Sequence, residues 1–197
     1  QMAKVDWNSG INGFKNYLRL ERSLSKNSID AYLRDIEKLA TFSMLELGGK
    51  NPVALNLDDL QLFLGYIVQL GLNERSQARI LSGVKAFYRY LILEDLLEKD
   101  PTDLLEGPKI SRKLPDVLSY DEIQDLIAVI DLSKPEGMRN KAIIETLYGC
   151  GLRVSELINL KISNLYLDVD FIKVVGKGNK ERLVPIGSDA AKYIRIY

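Results

Sequence analysis

Residues 149–187 read GCGLRVSELINLKISNLYLDVDFIKVVGKGNKERLVPIG, and the order of breaks and apolar runs in this stretch decides the fold around it. Gly149, Cys150 and Gly151 interrupt whatever precedes them. Apolar residues at 152, 154, 157, 158 and 160 predict a short helix with one buried side. Phe171 to Val175 is an apolar, β-rich run, and Leu183 and Val184 belong to a second. Gly176-Lys177-Gly178-Asn179-Lys180 has turn composition, so residues 171–185 are expected to form a β-hairpin. The hairpin carries Lys173, Lys177, Lys180 and Arg182 against a single acid, Glu181. A basic tip beside a glycine-flanked arginine suits a grip on phosphate.

Residues 1–106 read as helices throughout. Ile11, Phe14, Tyr17 and Leu18 make the stripe of a first helix. Ser25 is the expected N-cap of a second, with Ile29, Tyr32, Leu33, Ile36, Leu39 and Ala40 on one side. Gly48, Gly49 and Pro52 form a break, and Asn56, Asp58 and Asp59 open a third helix that ends near Gly71. A fourth is expected from about Arg75 to Leu93. At 100° per residue, Ile80, Leu81, Val84, Phe87, Tyr88 and Leu91 gather on one side of the wheel. Arg75, Arg79, Ser82, Lys85 and Arg89 gather on the other, with almost no acid among them. A charged helix face is often no more than a solvated one. A face this one-sidedly basic is a candidate for duplex DNA.

Glycine, proline and bases in Glu106-Gly107-Pro108-Lys109 and Arg112-Lys113-Leu114-Pro115 mark a linker. The expected division is a helical domain over 1–106, a linker over 107–118 and a second domain over 119–197. Ser119-Tyr120-Asp121-Glu122 has the form of a capping box, followed by a helix with Ile123, Leu126, Ile127 and Ile130 on one face. Pro135 and Gly137 are expected to break that helix. Another is expected from about Arg139 to Tyr148, with Ala142, Ile143, Leu147 and Tyr148 as core contacts, and a last one from Ser188. The fold class is therefore mainly α: an N-terminal bundle of four or five helices, then an α+β piece with a small antiparallel sheet.

The chain's 197 residues and 46% hydrophobic content suffice for one large core or two small ones. No apolar run reaches membrane-span length, and residues 1–10 lack the apolar stretch of a signal peptide. One cysteine, Cys150, excludes an internal disulfide, reads as a small buried residue, and fits a reducing cytoplasm. Lys plus Arg and Asp plus Glu number 27 each, so net charge lends no support to nucleic-acid binding. Any DNA grip must come from local clustering. The absence of histidine excludes His-based triads and His-ligated metals. One cysteine cannot build a thiolate metal site, and no P-loop pattern is present. No metal and no cofactor are expected. What remains is a set of bases aimed at phosphate.

Gly151-Leu152-Arg153-Val154-Ser155-Glu156-Leu157, followed by Gly176-Lys177-Gly178-Asn179-Lys180-Glu181-Arg182, resembles the tyrosine recombinases, and most closely the bacterial Xer type. A Gly-Lys-Gly-Asn-Lys turn alone could belong to any hairpin. Both halves in this order and spacing form a specific signal. The resemblance implies a SAM-like core-binding domain followed by the start of a catalytic domain. It implies site-specific DNA recombination through a covalent phosphotyrosine, with Xer-like chromosome-dimer resolution as the role. It gives Arg153 as the first catalytic arginine, Lys177 as the hairpin lysine and Glu156 as the acid that orients the site. Arg75, Arg79, Lys85, Arg89, Lys180 and Arg182 are the expected DNA contacts.

The implied partners are double-stranded DNA and further recombinase protomers, assembled as a homo- or hetero-tetramer. In such an assembly the two domains would clamp a duplex. The family's second arginine, its histidines and its nucleophilic tyrosine belong further downstream. The chain is thus expected to be an N-terminal portion, inactive by itself, with Tyr197 not the nucleophile. Two alternatives stay open: a non-catalytic DNA-binding module or regulator, and the integrase of a mobile element.

Overall fold

The structure, a computed structural model, describes residues 5–111 and 114–197. Arg112 and Lys113 of the expected linker lie outside the described residues. The chain divides into two compact units, residues 1–113 and 114–197.

The first unit holds four α-helices among the described residues: α1 (Trp7–Leu20), α2 (Lys26–Glu46), α3 (Leu57–Gln69) and α4 (Glu74–Leu93). Each start is set by a short polar side chain that accepts a free first-turn N–H. Asp6 caps α1, Ser25 caps α2, Asn56 caps α3 in a capping box with Asp59, and Asn73 caps α4. The Asp6 cap is hard to see in the sequence, because the apolar stripe that betrays α1 begins only at Ile11. α4 packs against α1, α2 and α3. Its expected apolar side is buried from Ile80 to Leu91, together with Phe14, Ile36, Leu39, Leu60, Phe63 and Ile67. Rings of Trp7, Phe14 and Phe87 stack or meet edge-on at its centre.

The second unit contains α5 (Tyr120–Ala128), α6 (Pro135–Cys150), α7 (Val154–Ile158), α8 (Ser188–Ile196) and a sheet of β1 (Leu165–Tyr166), β2 (Phe171–Val175) and β3 (Glu181–Pro185). The sheet is antiparallel in the order β1-β2-β3. Ser119 and Glu122 form the expected capping box. The hairpin lies where composition placed it, with Ile172 and Val174 buried and facing Val184 and Arg182 across the pair. β1 leaves no signal in the sequence, since two residues are too few to show alternation.

Several expectations are corrected. Pro135 does not break a helix but occupies the first turn of α6, where its missing N–H costs nothing. Gly137 lies inside α6, where a Cβ would come within 1.9 Å of the Asp131 carbonyl. Leu126 and Tyr148 are exposed, leaving Ile127 as the buried contact of α5 and Ala142, Thr146 and Cys150 as those of α6. The stripe expected for residues 152–160 holds only in part: Leu152 is buried and Leu157 and Leu160 pack half-buried against the same core. Val154 and Ile158 are exposed, and the side chain that α7 buries is Glu156. Two guanidinium groups on its carboxylate let the acid take the most buried place on α7.

Candidate functional site

α6 ends at Gly151, whose left-handed conformation (φ 58°) turns the chain back so that Leu152 N–H reaches the Leu147 carbonyl. Arg153 therefore becomes the N-cap of α7. Glu156 sits in the first turn of α7 and accepts four hydrogen bonds. Oε2 takes the Arg153 backbone N–H at 2.9 Å and Arg182 Nη2 at 2.9 Å. Oε1 takes Arg153 Nη1 at 3.0 Å and Arg182 Nη1 at 2.7 Å. The Glu156 side chain is 3% exposed. Hydrogen bonds from Arg182, then from the Arg153 N–H, hold its carboxyl down at about 2, against the resistance of burial. The same carboxylate raises the pKa of Arg182.

The two arginines differ. Arg182 binds Glu156 through both terminal nitrogens. Arg153 binds it through one, and its side chain remains 74% exposed. An arginine anchored at one nitrogen and open at the others can hold an anion without swinging freely. Lys177 and Lys180 stand exposed on the β2–β3 turn, where Gly178 and Asn179 take the positive φ that the turn requires. Glu181, the hairpin's one acid, is paired with Lys173 at 3.2 Å. That pair leaves Lys177 and Lys180 with no ion pair among the described residues. A larger recess of about 660 Å³ lies elsewhere in this unit, among Ala142, Ile143, Leu157, Leu160, Ile162 and Ile194. It is mostly apolar and includes neither Arg153 nor Lys177.

In the first unit, α4 presents Arg75, Arg79 and Arg89 exposed and Lys85 half-buried, on the side opposite its core face. Arg79 departs from the other three. Its Nη1 donates to Oδ2 of Asp35, an acid 1% exposed in the middle of α2. Burial, against the pull of Arg79, raises the carboxyl pKa of Asp35, and its other oxygen has no hydrogen-bond partner among the described residues. Arg79 thus joins α2 to α4. Lys85 and Arg89 line a recess of about 280 Å³ with Arg22, Ser82, Tyr17 and Tyr32. Arg22 escapes a sequence reading because it lies in the α1–α2 turn, outside any helical wheel. Among the described residues no carboxylate lines this recess.

Residues 11–95 match the N-terminal SAM-like domain of phage integrases, and residues 116–197 match the phage integrase family. The chain belongs to the phage integrase family. It is 40% identical over 188 residues to the tyrosine recombinase XerD of Staphylococcus saprophyticus, covering 95% of this chain and 63% of that protein. It is 37% identical over 193 residues to XerD of Staphylococcus epidermidis, covering 96% and 64%. The chain therefore spans less than two thirds of the length of these integrase-family relatives. Its fold resembles lambda integrase in a tetramer bound to a Holliday junction, with a TM-score of 0.73 at 18% identity over 95% of this chain and 53% of that one. A lambda integrase dimer on a core site gives 0.71, at 18% identity over 92% and 49%.

Proposed function

We propose that the whole protein is a Xer-type site-specific recombinase that breaks and rejoins duplex DNA, and that this chain supplies its helical DNA grip and two groups acting on the scissile phosphate. In the proposed reaction a tyrosine hydroxyl attacks phosphorus. A phosphotyrosine bond forms, the bond to the 5′-oxygen breaks, and that oxygen receives a proton. Arg153 stabilises charge on the non-bridging oxygens, for which a permanently charged fork is suited. Lys177 gives the proton to the departing 5′-oxygen. Glu156 reaches neither the non-bridging nor the departing oxygen and holds Arg153 in place.

The observation that carries the reading is the state of Arg153: fixed at the head of α7 by a buried carboxylate, yet 74% exposed. A pure DNA-binding module has no need of an arginine held this way. Identity to the XerD tyrosine recombinases supports the Xer reading, with chromosome-dimer resolution the proposed role. The tetrameric fold neighbour supports assembly of several protomers on DNA. Among the described residues no helix is long and apolar enough to cross a membrane.

The test uses the whole protein and a substrate whose scissile 5′-oxygen is replaced by sulfur, which leaves without a proton. Lys177→Ala should cleave the ordinary phosphodiester about 10²- to 10⁴-fold slowly and recover much of the rate on the sulfur substrate. Arg153→Ala should stay slow on both, because charge on the non-bridging oxygens persists whatever atom leaves. Equal defects of Lys177→Ala on the two substrates would refute the acid role and leave the lysine a positioning contact.

A further inference from the structure

Between the arginine of α7 and the lysine of the hairpin lies a side chain whose basic setting suggests a DNA contact. Arg182 stands opposite Val174 in the β2–β3 pair, and Val174 is buried, so Arg182 leaves the sheet on its covered side. There it meets Glu156 with two parallel bonds of 2.7 and 2.9 Å, across 26 residues of sequence. The strand end closes on the same carboxylate. Gly176 N–H donates to the Lys180 carbonyl at 2.8 Å, and a Cβ on Gly176 would lie 3.2 Å from Glu156 Oε1 and 3.5 Å from Arg182 Nη1. The root of the turn that carries Lys177 is thus pressed against the Glu156–Arg182 pair.

We propose that Arg182 is a positioning residue: through Glu156 it fixes the hairpin that carries Lys177 against the turn that carries Arg153. This rests on the recombinase reading above. A planar fork bonding two oxygens fixes direction as well as distance, which a lysine ammonium cannot do. Arg153 keeps its own local bonds to Glu156, from the backbone N–H and Nη1, when Arg182 is changed. Loss of Arg182 therefore loosens the hairpin more than α7. A displacement of about 1 Å at a reacting group can cost ~10²-fold in rate.

The experiment compares Arg182→Lys, which keeps the charge, with wild type in the whole protein. On the ordinary phosphodiester, cleavage should fall by ~10²-fold. On the 5′-sulfur substrate most of that loss should disappear, as for Lys177→Ala. A merely structural role would slow both substrates alike. In the 197-residue chain, amide exchange at residues 176–180 should quicken in Arg182→Lys while α6 and α8 keep their protection, which separates a loosened hairpin from a failure to fold. A wild type that cleaves, with Arg182→Lys cleaving at the same rate or equally slowed on both substrates, would overturn this inference alone. A whole wild-type protein that forms no covalent adduct on either substrate would overturn the recombinase reading and this inference with it.

Discussion

Glu156 accepts four hydrogen bonds, and its role follows from those partners rather than from its place on a helix. A carboxyl held at about 2 in the folded chain and near 4.5 when unfolded stabilises the fold above pH 4.5. That contribution is lost as pH falls from 4.5 toward 2, where the folded state must also take up the proton. Glu156→Gln should therefore be less stable than wild type at pH 6. The gap should narrow steadily between pH 4.5 and 2 in denaturant titrations. A gap that stays constant over that range would mean the carboxylate's charge contributes nothing. At this scale, residue types are legible in the sequence and partners are not. Arg153, Glu156 and Lys177 stand out because their spacing is specific. Arg182 reads as one more hairpin base, since nothing in a linear pattern reveals that a residue 26 positions away presents a buried carboxylate to it.

Among the elements, α4 is the most legible, because twenty residues give a wheel enough points to separate a core face from a basic one. The wheel cannot show the face of α2 that meets it. Asp35 lies against Gly83, where a Cβ would approach its Oδ2 to 2.9 Å, and it takes Arg79 out of the free basic set. Two outcomes follow. For the 197-residue chain binding duplex DNA, alanine at Arg75, Lys85 or Arg89 should each reduce the salt dependence by ~0.9 log units for each phosphate left without its base. Arg79→Ala should leave that slope nearly unchanged and instead lower stability by about 1–3 kcal/mol, because a buried carboxylate is left without its one bonded partner. A slope that drops in Arg79→Ala as it does in Arg89→Ala would make Arg79 a phosphate contact after all. Tyr88 supplies a second element-scale check. Its hydroxyl, fully buried, donates to the Pro52 carbonyl at 2.8 Å and ties α4 to the turn before α3. Tyr88→Phe should cost about 1 kcal/mol in thermal or urea unfolding, with DNA affinity unchanged at temperatures where the chain stays folded.

For the molecule as a whole, the decisive feature is that its two units have separate cores of unequal quality. In the first, buried side chains from Phe14 to Leu105 form one cluster that includes the rings of Phe14, Phe42, Phe63, Phe87, Tyr88 and Tyr90. In the second, the cluster is small: Cys150, Leu152, Ile172, Val174, Ile186, Ala190 and Ala191. Apolar side chains such as Ile158, Ile162, Leu183 and Tyr197 remain exposed around it. Stability rises with apolar area removed from water, at roughly 25 cal/mol per Å². A core built from alanine, cysteine and a few branched residues removes less of it than one built from phenylalanine, tyrosine and leucine. The second unit should therefore unfold first. In native-state hydrogen exchange of the 197-residue chain, amides of α6, α8 and β2 should exchange through openings of lower free energy than those of α2 and α4. Urea unfolding should be biphasic, with the Trp7 fluorescence change, which reports the first unit, lagging the loss of the β2–β3 amide protection. Ile172→Ala should move only the early phase and Phe63→Ala only the late one. Coincident transitions, moved together by either substitution, would mean that the two units fold as one cooperative body despite their separate cores.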